Sequence, residues 1–211
     1  MKIQLEERKV ETAIRDEFLV KQRREKIIQA ASKVFAEKGY HQATIRDISK
    51  ASGLGPGTIY NYVKKKEDIL YLVYNKLTTM LTESLMETIK NNNDPLEQLK
   101  EALRKTIEIA WDYQDLILLM YQETAALDKE SLHYVLKRES DYVSLIEKII
   151  SRGRKKGVIK NQDTRMVADI IVYLLAFFPL RRWNLKKRFS EKQIKSRTMD
   201  FILKALLITE R

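Results

Sequence analysis

Apolar residues recur at intervals of three and four along most of this chain, the period of helices with one buried face. The stripe is thin at the start, where only Ile3, Val10, Ile14 and Phe18 keep the spacing, so residues 1–20 read as an arm or a loosely attached helix. From Lys21 it sharpens. Ile27, Ile28, Ala31, Val34 and Phe35 form one face, and Lys38-Gly39 supply a C-terminal stop. Two much shorter helices follow. In "ATIRDISKASG", Thr44 caps a helix whose third position is Asp47; Ile45, Ile48 and Ala51 face inward, and Gly53 ends it. In "LGPGTIYNYV", Pro56 suits a first helical position, where its missing N–H removes no bond. A supporting helix, a short capped helix, a glycine turn and another short helix have the grammar of a helix-turn-helix.

Beyond residue 66 the helices lengthen. The pattern predicts one from Glu67 to about Lys90, with acids in its first turn where the helix dipole favours them. "NNND" breaks it, and Asp94, Pro95 and Glu97 restart a helix toward Trp111 as N-cap, first and third positions. "DYQDLILLMYQETAAL" predicts another, and Lys129 to about Lys156 a long amphipathic one closed by Gly157. Asp163 to about Leu180 is apolar on most sides, and Ser190 to Ile208 is amphipathic again. No segment alternates convincingly with the period of a strand and none repeats, so the expected fold is all-α.

Charge sharpens this picture once it is placed. The net charge is +11 over 211 residues, but residues 20–66 hold eleven Lys/Arg against three acids, a net +8. Such density on one small module points to a polyanion, nucleic acid or membrane surface. With no cysteine there is no disulfide frame and no thiolate chemistry, and His41 and His133 share no ligand-like spacing. The first residues carry acids among apolar ones and make no secretory signal. The longest apolar run, Ile170 to Leu180, is too short to cross a bilayer. A soluble, cytoplasmic protein with no cofactor and no bound metal is expected.

The segment "SGLGPGTIYNYVKKKEDIL" concentrates three of the six glycines and three consecutive lysines. A helix entering a DNA major groove brings its N-terminal end close to backbone and base edges. Gly55 and Gly57 remove side chains where a phosphate would press, and Thr58, Tyr60, Asn61 and Tyr62 supply hydroxyl, ring and amide groups. Lys64, Lys65 and Lys66 follow as phosphate partners, while Ile59 and Val63 hold the helix on its module. Over residues 24–71, "RREKIIQAASKVFAEKGYHQATIRDISKASGLGPGTIYNYVKKKEDIL" resembles the DNA-binding domain of the tetracycline-repressor (TetR) family of bacterial regulators. The resemblance rests on the helix end "AxxxFxxxGY", "TIRDIS", "GxGTIYxY" and "KEDIL". Val63 departs from the usual phenylalanine, and Pro56 from the usual polar residue.

The resemblance implies DNA contacts by Thr44 and Arg46 on the second helix and by Gly55, Gly57, Thr58, Tyr60, Asn61 and Tyr62 on the third. Lys66 matches a phosphate-clamping lysine. The implied domains are an arm at 1–20, the helix-turn-helix at 21–66, and a ligand-binding and dimerisation domain at 67–211. In the last, Trp111, Tyr113, Met120, Tyr121, Tyr142 and Tyr173 offer aromatic or soft side chains, several with polar tips, suited either to a core or to a mostly apolar pocket. Arg181, Arg182 and Trp183 look like the arginine-tryptophan element of acyl-CoA-responsive members, which would suit an acyl chain with an anionic head. The implied function is a homodimeric repressor, released from an inverted-repeat double-stranded DNA operator by a small lipophilic ligand. An acyl-CoA or fatty-acid-like molecule is favoured over a lipophilic drug. The alternative is an architectural or division-control DNA-binding protein without an inducer. No phosphate loop on a strand, metal-ligand cluster or nucleophile motif suggests an enzyme.

Overall fold

A computed structural model of the chain describes residues 6–208. Among them it has nine α-helices: α1 (Glu17–Lys38), α2 (Ile45–Ser52), α3 (Pro56–Tyr60), α4 (Lys66–Asn91), α5 (Pro95–Asp112), α6 (Gln114–Glu123), α7 (Lys129–Lys155), α8 (Thr164–Leu185) and α9 (Glu191–Leu206). A 3₁₀ turn at Thr124–Ala126 follows α6. The only extended pairing among the described residues is an isolated antiparallel bridge between Ile159 and Leu207. The all-α expectation therefore holds.

Two compact units are present. One contains the chain up to Thr78 with Leu118–Arg138, and the other Thr79–Ile117 with the chain from Glu139 onward. The division thus falls within α4 rather than at its start. In the first unit α1 and α2 pack together, α3 against α2, and the opening turns of α4 add the fully buried Ile69, Leu70 and Val73. In the second unit α5 packs on α8 and α9.

Local chemistry explains most boundaries. Thr44 and Asp47 form a reciprocal capping box, and Gly53 closes α2 in the left-handed region at φ 68°. Pro56 occupies the first turn of α3, and Asp94 caps α5 by accepting from the Glu97 N–H. Ser190 and Gln193 make a second capping box at α9.

Three expectations are corrected. First, α1 begins at Glu17, four residues ahead of Lys21, because Asp16 caps it by accepting from the Leu19 N–H at 3.0 Å. Second, residues 6–12 carry no helix, yet they are not loose: Val10 is 4% exposed, while Phe18 is 78% exposed and points away from any core. Ile3 lies outside the described residues. Third, α8 continues through Pro179 to Leu185. A proline inside a helix removes one N–H bond without forbidding its φ, and both Phe178 and Pro179 are buried here. No helix of the described residues is long and apolar enough to cross a membrane.

Candidate nucleic-acid interface and ligand pocket

The helix-turn-helix is seated by two side chains with no exposed surface, Ile48 on α2 and Ile59 on α3. Ser49 ties the turn by donating to the Leu54 carbonyl at 2.5 Å. Lys38 reaches back from α1 to Asp47 at 2.5 Å, and with Thr44 it holds that carboxyl down to about 2. These contacts fix α2 and α3 as one piece. Thr44, the N-cap of α2, and Arg46 on it are exposed, as are Gly55, the N-cap of α3, Gly57 and Tyr60 on it, and Asn61 just after it. Thr58 is partly buried.

Glycine placement separates internal from external demands. Gly39, Gly53 and Gly157 have positive φ, and a Cβ on Gly153 would meet Ile159 Cδ1 at 2.5 Å. Gly55 and Gly57 have neither reason. A Cβ at Gly55 would make ordinary contact with Thr58 Oγ1 at 3.7 Å, and one at Gly57 would meet nothing within 4 Å. The fold itself would accept alanine at both, so no contact within the described residues requires glycine there.

Two residues expected at the interface are otherwise engaged. Tyr62 is 4% exposed, so its ring belongs to the core. Lys66 directs its ammonium at the carbonyls of Tyr40 (2.9 Å), Ala43 (3.1 Å) and His41 (3.4 Å), and lies 4.3 Å from the centre of the Tyr40 ring. A lysine has three donors. All three are taken by the loop between α1 and α2, so a phosphate reaches this group only by displacing a carbonyl. Lys64 pairs with Glu11, and Lys65 with Asp128 at 2.7 Å, which raises the lysine's pKa and depresses that of the carboxyl. Both of these lysines are about half exposed or more, and such pairs contribute little net stability. They exchange readily for another anion.

In the second unit, Trp111 of α5 stacks on Phe178 of α8 with ring centres 4.2 Å apart. The ammonium groups of Lys195 and Lys186 lie 5.2 and 5.5 Å from the Trp111 ring centre. Beneath is an apolar cavity of about 10 Å³, lined by Ile107, Ala110, Leu174, Leu175 and Ile194 along with the stacked pair, Lys195 and Thr198. It has room for about one water, so a longer ligand must part these side chains.

Of the residues expected to bind ligand, Trp111 lines this cavity. Tyr142 is instead a core residue, its hydroxyl 2.7 Å from that of Thr106. Burial pushes the phenol up to about 12. Tyr173 and Trp183 are 58% and 62% exposed, and Arg182 pairs with Asp115. Met120 and Tyr121 belong to the first unit, where the Met120 carbonyl accepts from the Tyr74 hydroxyl at 3.3 Å and Tyr121 is exposed. Sequence reasoning missed Phe178 and Lys195. Ile107, Ala110 and Trp111 share one helical face, a spacing that could have pointed inward, but nothing in it names the partner helices.

Residues 27–71 match the family described as bacterial regulatory proteins, tetR family. Residues 92–206 match the family described as tetracyclin repressor-like, C-terminal domain. The HTH-type transcriptional regulator HbdR of Aromatoleum sp. (strain CIB) is 28% identical over 181 residues, 86% of this chain and 79% of that protein. The fatty acid metabolism regulator protein of Bacillus subtilis (strain 168) is 31% identical over 156 residues, 72% of this chain and 80% of its own length. A solved structure of the transcriptional regulator FadR from Bacillus subtilis in complex with stearoyl-CoA has a TM-score of 0.73 at 24% identity, covering 86% of this chain and 98% of that one.

Proposed function

Because the chain belongs to the tetR family of bacterial regulatory proteins, and is a DNA-binding transcriptional regulator rather than an enzyme, we propose that it is a homodimeric repressor acting in the cytoplasm. It leaves an inverted-repeat operator when a fatty acyl-CoA, or a fatty-acid-like molecule, fills its C-terminal helical part. The observation that carries the acyl reading is the fatty acid metabolism regulator at 31% identity over most of both chains. Stearoyl-CoA, bound in the FadR structure, joins an apolar chain to an anionic head, which agrees with a small apolar cavity beside two ammonium groups.

The DNA-reading part is α1–α3 with the opening turns of α4, the ligand and dimer part is drawn from the second compact unit, and the described residues ahead of Glu17 are the arm. Thr44, Arg46, Gly55, Gly57, Thr58, Tyr60 and Asn61 face the DNA, with Lys64 and Lys65 as exchangeable phosphate partners. Met166, Ile170, Tyr173 and Phe177 lie along one stripe of α8 and are 38–60% exposed. Phe201 of α9 is 64% exposed. Apolar area of this extent on two helices suits a four-helix contact with a second copy. A two-fold dimer presents two recognition helices about 34–36 Å apart, or a multiple of it, and so reads an inverted repeat.

For release, the ligand must bind the DNA-incompetent arrangement better than the competent one. The chain passes between the two compact units within α4, α6 and α7, so these three helices are the covalent routes along which binding in one unit reaches the other. The test is a gel-shift titration of the protein on the DNA upstream of its own gene, with stearoyl-CoA or CoA alone added to the complex. Release by the thioester and not by CoA is expected. A complex indifferent to acyl-CoAs and fatty acids would remove the inducer and favour the architectural alternative.

A further inference from the structure

Residues 6–13 run beside the end of α3 and are bound to it at several points. The Ala13 N–H and the Thr12 hydroxyl both donate to the Asn61 carbonyl, at 2.9 and 2.8 Å. Arg24 of α1 donates through Nη2 to the Val10 carbonyl at 2.8 Å and to the Tyr62 carbonyl at 2.9 Å. Its Nε adds a bond to the same Tyr62 oxygen at 3.1 Å. One guanidinium therefore joins the N-terminal segment to the residues that leave the recognition helix. The other end is equally engaged. Arg8 pairs with Asp68, whose second oxygen accepts the N–H groups of Lys64 and Lys65 at 2.9 and 3.1 Å. The Arg8 N–H donates to the Tyr71 hydroxyl at 2.7 Å, and Glu7 pairs with Arg138 of α7 at 3.1 Å. The Arg8 and Asp68 side chains are 8% and 6% exposed, so that pair is interior, whereas buried Arg138 meets a Glu7 that is half exposed.

We propose that residues 6–13 are a strap that sets the angle of α3, and that Arg24 is a positioning residue for sequence reading, acting through α3 and not through its own DNA contact. The inference rests on α3 being the DNA-reading helix. Charge supports a positioning role. Glu6, Glu7 and Glu11 outnumber Arg8 and Lys9, so the strap is net −1 beside a module of +8. An acidic segment following the phosphates would be repelled. Held against α3, it instead governs how side chains meet base edges, which is where sequence is read.

The test starts by selecting duplexes from a random-sequence pool with the full chain. Failure to select any sequence would count against the DNA-regulator reading and leave the strap aside. Arg24→Lys keeps the charge but replaces the two-pronged guanidinium with a single ammonium. Thr12→Val keeps the shape without the hydroxyl. Both are compared with the parent on the selected duplex and on a scrambled one, across salt concentration and well below their melting temperatures. About a 10-fold loss on the selected duplex for Arg24→Lys and about 3-fold for Thr12→Val are expected from the bonds removed. Scrambled-duplex affinity and salt slope should not move. Equal losses on both duplexes, or a lower slope, would mean these groups meet phosphate and would overturn the proposal. A lowered melting temperature with an unchanged selected-to-scrambled ratio would overturn it too, as would no change at all. If Arg24→Lys fails to fold, Thr12→Val decides by the same ratio, because Thr12 is exposed.

Discussion

Replacing Lys66 by methionine separates two roles that sequence alone makes equivalent. The stem of the side chain is kept and the ammonium lost. In the structure that ammonium holds the Tyr40, His41 and Ala43 carbonyls, the bonds to Tyr40 and Ala43 being partly buried. Each partly buried carbonyl deprived of its donor costs about 1 kcal/mol once water has partly replaced it. Loss of the contact with the Tyr40 ring adds about 0.5 kcal/mol. The total is roughly 2–3 kcal/mol, which for a slope near 2 kcal/mol/M shifts a urea midpoint by about 1 M. Because the group is already saturated, the slope of log K against log salt for DNA binding should stay as in the parent. A lysine that neutralises a phosphate would lower that slope by about 0.9 per site. Urea unfolding followed by circular dichroism, with fluorescence anisotropy on labelled duplex across salt, measures both. An unchanged midpoint with a reduced slope would refute the carbonyl cage and make Lys66 a phosphate clamp.

Gly57→Ala should fold with equal or slightly greater stability, by up to about 1 kcal/mol, since a Cβ there meets nothing and alanine favours helix. It should nevertheless lose at least about 10-fold in DNA affinity by gel shift, for a close approach worth roughly 1.4 kcal/mol or more; normal binding would place the glycine away from the phosphates. Ile170→Glu puts a charge in the middle of the exposed α8 stripe and should halve the molar mass measured by light scattering while leaving the helical signal intact. An intact dimer would move the interface elsewhere. The Asp47 carboxyl is held at about 2 and that of Asp128 also well below normal, both first by their lysine partners. Folded values lie below the unfolded value of about 3.9, so this stabilisation is complete above about pH 4 and is lost as pH falls toward 2. Asp47→Asn should flatten the acid limb of a melting-temperature profile, and an unaltered limb would contradict the assignment.

Much of this protein is determined by residue order alone, because the interactions concerned are short in sequence. The Thr44–Asp47 box, Pro56 at the start of α3, Asp94 at the start of α5 and Gly53 at the end of α2 each act across four residues or fewer. Helix period and caps then yield the all-α architecture and the helix-turn-helix. The "GxGTIYxY" stretch carries two glycines that answer no internal demand, and it is the proposed DNA-reading stretch. What only the tertiary structure decided involves partners far apart in the chain. Lys66 looks like a phosphate ligand until the loop at Tyr40–Ala43 is folded around it. Tyr142 looks like a pocket residue until Thr106 lies opposite its hydroxyl. Residues 6–13 carry too thin an apolar stripe to predict their placement, because Arg24, Asn61, Asp68, Tyr71 and Arg138 hold them through hydrogen bonds and ion pairs. Such bonds leave no period in the sequence. Periodicity reports which face of a helix is buried, but the identity of the side chain that meets a lysine, a phenol or an arm is settled only when distant segments come together.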